Sequence, residues 1–213
     1  MIRSIGIVLL VVGVTAMPVF ARAEAPAGIY HYGITHPSFG DIGVFTNVIT
    51  RDGDRVIVAT TLEVKVSLLF FVVHRVEAER TQIWRGGRLI GYESRTVRNG
   101  EEIRVRGRAV GDAFVIERPG GRVLLPPNVF PTNPWSIQIT RATSVMASEN
   151  GELRSLSVIE GAKQRLEIKG EPRTVRHFQV RGDMEQDIWY DDNDVPVKFI
   201  YSMGEDRVTF TLL

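Results

Sequence analysis

The sequence predicts a mainly β protein: a large curved antiparallel sheet, a half-barrel or open barrel, with one short helix. Three observations carry this. Almost every window alternates apolar and polar residues with period two. Gly, Asn and Asp pairs cut the chain at the intervals that hairpins need. Only one stretch has a persuasive helix start. So many strands in one chain must curl or close, because a flat sheet of that width does not hold.

The elements follow in order. Strands are expected at about Gly28–Thr35, Gly43–Arg51, Arg55–Val66, Val76–Trp84, Arg88–Arg98, Glu102–Val110, Ala113–Glu117 and Arg122–Leu125. A second group is expected at about Leu153–Glu160, Lys163–Lys169, Val175–Arg181, Met184–Tyr190, Val195–Tyr201 and Arg207–Leu212. Gly86-Gly87 and Asn99-Gly100 are two-residue hairpin loops, whose positive φ angles Gly and Asn supply most easily.

Centring the pairing on Asn99-Gly100 sets Tyr92 opposite Gly107, Ser94 opposite Val105, Thr96 opposite Ile103 and Ile90 opposite Ala109 on one face. Val97 opposite Glu102, Arg95 opposite Arg104, Glu93 opposite Arg106 and Gly91 opposite Arg108 form the other. One face is apolar or small and the other charged, as a half-buried sheet requires. The Gly86-Gly87 turn pairs Ile83 with Ile90 and Arg80 with Glu93. It thus predicts an Arg80–Glu93–Arg106 charge row facing water.

The helix is expected after Thr132-Asn133, with Pro134 at its first position, and runs to about Arg141. Before it, Val123-Leu124-Leu125-Pro126-Pro127-Asn128-Val129-Phe130-Pro131 is a stiff connector in which the strand must end, since proline cannot donate to a ladder. Phe130 and Trp135 would plug the open end of the sheet, or form a lid over a cavity.

Residues 1–23 read as a signal peptide. Arg3 precedes a charge-free apolar stretch from Ser4 to Ala21, shorter than the ~20 residues that span a bilayer. Ala21-Arg22-Ala23 supplies the cleavage site. The expectation is a periplasmic protein, with residues 24–213 as a single domain. Cleavage removes Arg3 and Arg22, so the net charge of +1 becomes −1. That balance gives no argument for nucleic acid. Export argues against functions driven by ATP or nicotinamide cofactors. With no cysteine there is no disulfide, thiolate nucleophile or cysteine-bound metal.

Candidate sites are few. Val66–Val73 breaks the alternation and is nearly all apolar. It is either a strand buried on both faces, a bulged corner, the lip or floor of an apolar cavity, or a membrane-facing tip. Asp183–Asp194 is rich in carboxylates, yet its spacing matches no calcium loop, and turns favour Asp on their own account. His31, His36, His74 and His177 show no metal-ligand spacing. Arg104, Arg106 and Arg108 read as a solvated face. No G-x-S-x-G, Walker A or G-x-G-x-x-G sequence is present. No catalytic residue, metal or cofactor is therefore expected.

As an ordered series, several segments resemble a family of exported alphaproteobacterial proteins, domain of unknown function 6134. They are His36-Pro37 before Gly40-Asp41-Ile42-Gly43, and Glu79-Arg80-Thr81 before Ile83-Trp84-Arg85-Gly86. Pro131-Thr132-Asn133-Pro134-Trp135 follows, then Ile188-Trp189-Tyr190-Asp191 before Val195-Pro196-Val197. The resemblance brings no activity with it. More distantly, the layout is similar to half-barrel lipid carriers of the LolA and LolB type, which implies a curved sheet around a greasy cavity.

The function expected first is non-enzymatic binding of an apolar small molecule or lipid, with Phe70, Tyr92, Val105, Phe130 and Trp135 at the ligand. The alternative is a structural module of the cell envelope, filled by its own side chains and partnered by an envelope protein. An enzyme with dispersed residues is third.

Overall fold

The computed structural model describes residues 24–68, 71–203 and 206–213. The signal peptide expected at residues 1–23 and the ligand contact expected at Phe70 lie outside them. The first eight strands run β1 (Gly28–His36), β2 (Gly40–Asp52), β3 (Arg55–Leu68), β4 (Phe71–Arg85), β5 (Arg88–Arg98), β6 (Glu101–Val110), β7 (Ala113–Arg118) and β8 (Gly121–Leu125). Two short strands, β9 (Phe130–Pro131) and β10 (Ser144–Met146), flank a 3₁₀ helix at Ile137–Arg141. Then come β11 (Leu153–Glu160), β12 (Gln164–Ile168), β13 (Glu171–Gly182), β14 (Gln186–Tyr190), β15 (Pro196–Met203) and β16 (Asp206–Leu212).

All of them belong to one sheet, ordered β8-β7-β6-β5-β4-β3-β2-β1-β16-β15-β14-β13-β11-β10-β9, with β12 pairing β13 to the side. Neighbours are antiparallel except β9 and β10. The first and last strands, β1 and β16, pair in the middle of this order. The chain leaves one edge of the sheet at Leu125 and enters β9, at the other edge, by Phe130. Five residues reach at most about 18 Å, so the two edges must lie close. The sheet is rolled, and its β9–β10 end lies inside: Phe130 packs on Trp84 of β4, ring centroids 4.5 Å apart.

Inward and outward residues alternate as the sequence requires. Tyr32, Phe45, Ile49, Val58, Trp84, Tyr92, Val105 and Phe199 are buried. Between β5 and β6 the register is the expected one, with Tyr92 opposite Gly107 and Glu93 opposite Arg106. Asn99 and Gly100 both have positive φ, 50° and 92°, the geometry of a tight hairpin loop.

Three expectations need correction. The register of β4 on β5 shifts between Ile83 and Trp84, so Arg80 faces Ser94 and Thr81 faces Glu93. One extra residue on β5 flips everything beyond it. Arg80 consequently points inward, out of the predicted solvent-facing row. The helix is a single 3₁₀ turn capped by Ser136, whose hydroxyl accepts from the Gln138 N–H at 3.3 Å. Asn133 is no cap, because its amide is used in a buried network. Finally, the apolar run is not a strand buried on both faces. Leu68, Phe71, Val72 and Val73 are exposed where the β3–β4 hairpin ends, Phe71 by 74%.

Candidate functional site

The connector between β8 and β11 runs through the interior of the roll and is fixed there by side chains of the sheet. The Tyr92 hydroxyl donates to the Ser148 carbonyl at 2.6 Å. That of Tyr190 donates to the Pro134 carbonyl at 2.8 Å. Tyr201 donates to the Thr132 carbonyl. The Asn133 amide donates to Asn47 Oδ1 at 2.9 Å and to Thr60 Oγ1 at 3.1 Å. Trp84 and Trp135 both donate their indole N–H to Gln82 Oε1, at 3.1 and 3.0 Å. Proline-rich backbone inside a sheet would otherwise strand its carbonyls, so tyrosine and amide side chains serve as the ladder it lacks.

This arrangement divides the interior. On one side Trp84, Phe130 and Trp135 pack edge to face and tilted, with centroids 4.5 and 5.6 Å apart. On the other side a cavity of about 520 Å³ opens. Its apolar wall includes Ile42, Phe45, Leu62, Val64, Phe199 and Phe210, while Thr132, Asn133 and Pro134 of the connector form its floor. His36, Phe39, Val73 and His74 stand near the β1–β2 and β3–β4 turns, at the mouth. Val66 and Val73, from the apolar run, line the cavity as the lip reading expects.

The cavity also carries charge. Arg80, Arg98, Arg154 and Glu149 are among its lining residues. Arg98 pairs with Glu149 at 2.6 Å. Burial is the main reason that the Tyr201 hydroxyl, also in the lining, is pushed up to about 12, and the Arg80 charge acts against it.

Of the ligand contacts expected from sequence, Tyr92, Phe130 and Trp135 sit in the packed part of the interior and outside the cavity lining. Val105 is fully buried and borders a smaller groove of about 430 Å³. That groove is lined mainly by outward residues of both charges, including Glu79, Glu93, Arg95, Arg104 and Arg106. The residues that do line the large cavity come from strand ends far apart in sequence. Only inward alternation marks them, and it marks the packed core equally.

The acidic segment is tied into the fold. Asp187 is buried and accepts from His177 Nε2 at 3.2 Å, from Arg181 at 3.1 Å and from Arg207. His177 stacks on Trp189 with planes 2° apart. Asp191 Oδ1 accepts the backbone N–H groups of Asn193 and Val195, and Asp194 binds Arg176. Among the described residues no group of three or more His, Asp or Glu side chains is placed to hold a metal ion. On the outer face, Glu102 accepts from Arg104 at 2.5 Å and Arg95 at 2.8 Å. Those hydrogen bonds, the Arg104 one first, hold its carboxyl below the usual range.

The fold has a solved counterpart. The β-barrel-like protein of domain of unknown function DUF1849 from Brucella abortus superposes with a TM-score of 0.68 at 11% identity, covering 91% of this chain and 97% of that one. At that identity the likeness speaks for the fold alone. No curated protein matches the sequence. The model of the domain of unknown function DUF6134 matches residues 40–212, and the chain belongs to that family.

Proposed function

We propose that this DUF6134 protein is an exported, non-enzymatic binding protein that takes an apolar or amphipathic ligand, a lipid by preference, into the cavity at the hairpin-tip end of the roll. The single observation that carries the reading is the cavity itself. Its volume of about 520 Å³ lies within the ~300–1,000 Å³ typical of small-molecule sites. The wall is apolar, and the exposed Phe71 and Val72 stand beside the mouth, next to Val73 in the lining. Removal of residues 1–23 after Ala23 would deliver such a protein to the periplasm.

A second reading, a structural envelope module, draws on the packed half of the interior, where Trp135 and Tyr92 leave no room for a guest. The enzyme reading has less support. The His177–Asp187 pair lies away from the cavity, and the other ring nitrogen of His177 faces the Gln164 amide at 3.4 Å.

The test is mass spectrometry of an organic extract of protein purified from its native envelope. The binding reading expects an amphiphile in near-stoichiometric amount, and its loss from a Leu62→Trp variant that fills the cavity. Absence of any such molecule from the wild-type extract would favour the structural module.

A further inference from the structure

Burying a guanidinium is costly unless an anion or hydrogen-bond acceptors replace its water. Several arginines among the described residues meet that condition. Arg51, Arg98, Arg173, Arg176 and Arg181 each have a carboxylate in reach. Arg80 and Arg154 differ. Both are half-buried and both line the cavity. Among the described residues neither has a carboxylate within ion-pair distance. The buried Arg80 Nε has no acceptor, which is equally true of Arg55, Arg88, Arg98 and Arg118, so what sets Arg80 and Arg154 apart is that they line the cavity unpaired. The register shift in β4–β5 is what turns Arg80 from the solvent face to this position. A charge is thus held beside an apolar pocket without a counter-ion.

We infer that the cavity is built for an amphiphile with an anionic head group, carboxylate or phosphate. Arg80 and Arg154 hold the head, and the chain lies along Phe45, Leu62, Val64 and Phe210. This rests on the binding reading above and adds the chemistry of the head. A planar guanidinium gives a carboxylate or phosphate two parallel N–H donors, which a neutral head cannot match.

The experiment compares dodecanol, dodecanoate and dodecyl phosphate as competitors of an environment-sensitive dye at neutral pH. Wild-type protein should bind one or both anions at least about tenfold more tightly than the alcohol. The tighter of the two anions names the source. In Arg80→Gln and Arg154→Gln that preference should shrink while dodecanol binding stays. Arg104→Gln, on the outer face, should change nothing. Dodecanol binding as tightly as both anions would overturn the head-group inference and leave the cavity reading intact. Failure of all three to displace the dye would overturn both.

Discussion

The indole N–H of Trp135 donates to Gln82 Oε1 at 3.0 Å, across the interior of the rolled sheet. The same oxygen accepts from Trp84 on its own strand. One amide thereby locks the connector to β4. The side chain that a lid would have to swing is bonded and fully packed, so Trp135 is an anchor. Trp135→Ala should cost about 3–5 kcal/mol in urea unfolding, the usual range for an emptied aromatic site. Trp135→Phe should cost less and leave dodecanol affinity unchanged. A folded Trp135→Phe protein with altered affinity would restore the lid.

Gly43 passes so close to β3 that a Cβ there would lie 1.9 Å from the Glu63 carbonyl oxygen. Backbone cannot yield as a flexible side chain does. Gly43→Ala should destabilise by about 1–3 kcal/mol or more. Thermal unfolding checks this, and an unchanged midpoint would contradict the close approach of β2 and β3.

Asp187→Ala should lower stability by about 1–3 kcal/mol, since His177 and two arginines lose their shared acceptor. The figure is modest because Arg207 and Arg181 retain water contact. Asp183, Asp187, Asp191 and Asp194 of this segment accept from protein donors, so a chelator should leave the wild-type midpoint where it was. A lower midpoint with chelator, restored by calcium, would put a metal in this segment.

Burial raises the pKa of Tyr32, Tyr92, Tyr190 and Tyr201 above the ordinary 10.0, that of Tyr201 to about 12. A folded-state pKa above the unfolded value means that the folded state holds the proton more tightly. That stability is complete below pH 10 and is lost as pH rises through the folded values. These groups should therefore leave stability unchanged from neutral pH up to about pH 10, and the protein should unfold cooperatively above it. The phenolate absorbance of Tyr32, Tyr92 and Tyr190, which are fully buried, should appear with unfolding. Gradual titration of these three in a folded protein would contradict their burial.

Much of the fold was legible in the sequence because the sheet obeys local rules. Turn residues at Asn99-Gly100 and face alternation are enough to set β5 on β6. The extra residue near Ile90 leaves no such trace: Gly91, Ile90 and Leu89 fit either register. That one slip hid Arg80, the residue on which the head-group inference turns. Strands β9 and β10 were missed because they are two and three residues long and their partners are distant. The cavity was legible only as a consequence of curvature. Which inward residues border space and which border the connector depends on a chain crossing that no local pattern records.

The central claim is that an apolar chain enters the cavity beside Leu62 and Phe210. Displacement of a bound dye by n-alkanols of increasing length tests it most directly. Burial of each added CH₂ contributes about 0.8 kcal/mol, so affinity should rise about fourfold per carbon until the cavity is full. Leu62→Trp should abolish the series. Displacement that does not depend on chain length, or is unchanged in Leu62→Trp, would contradict the account.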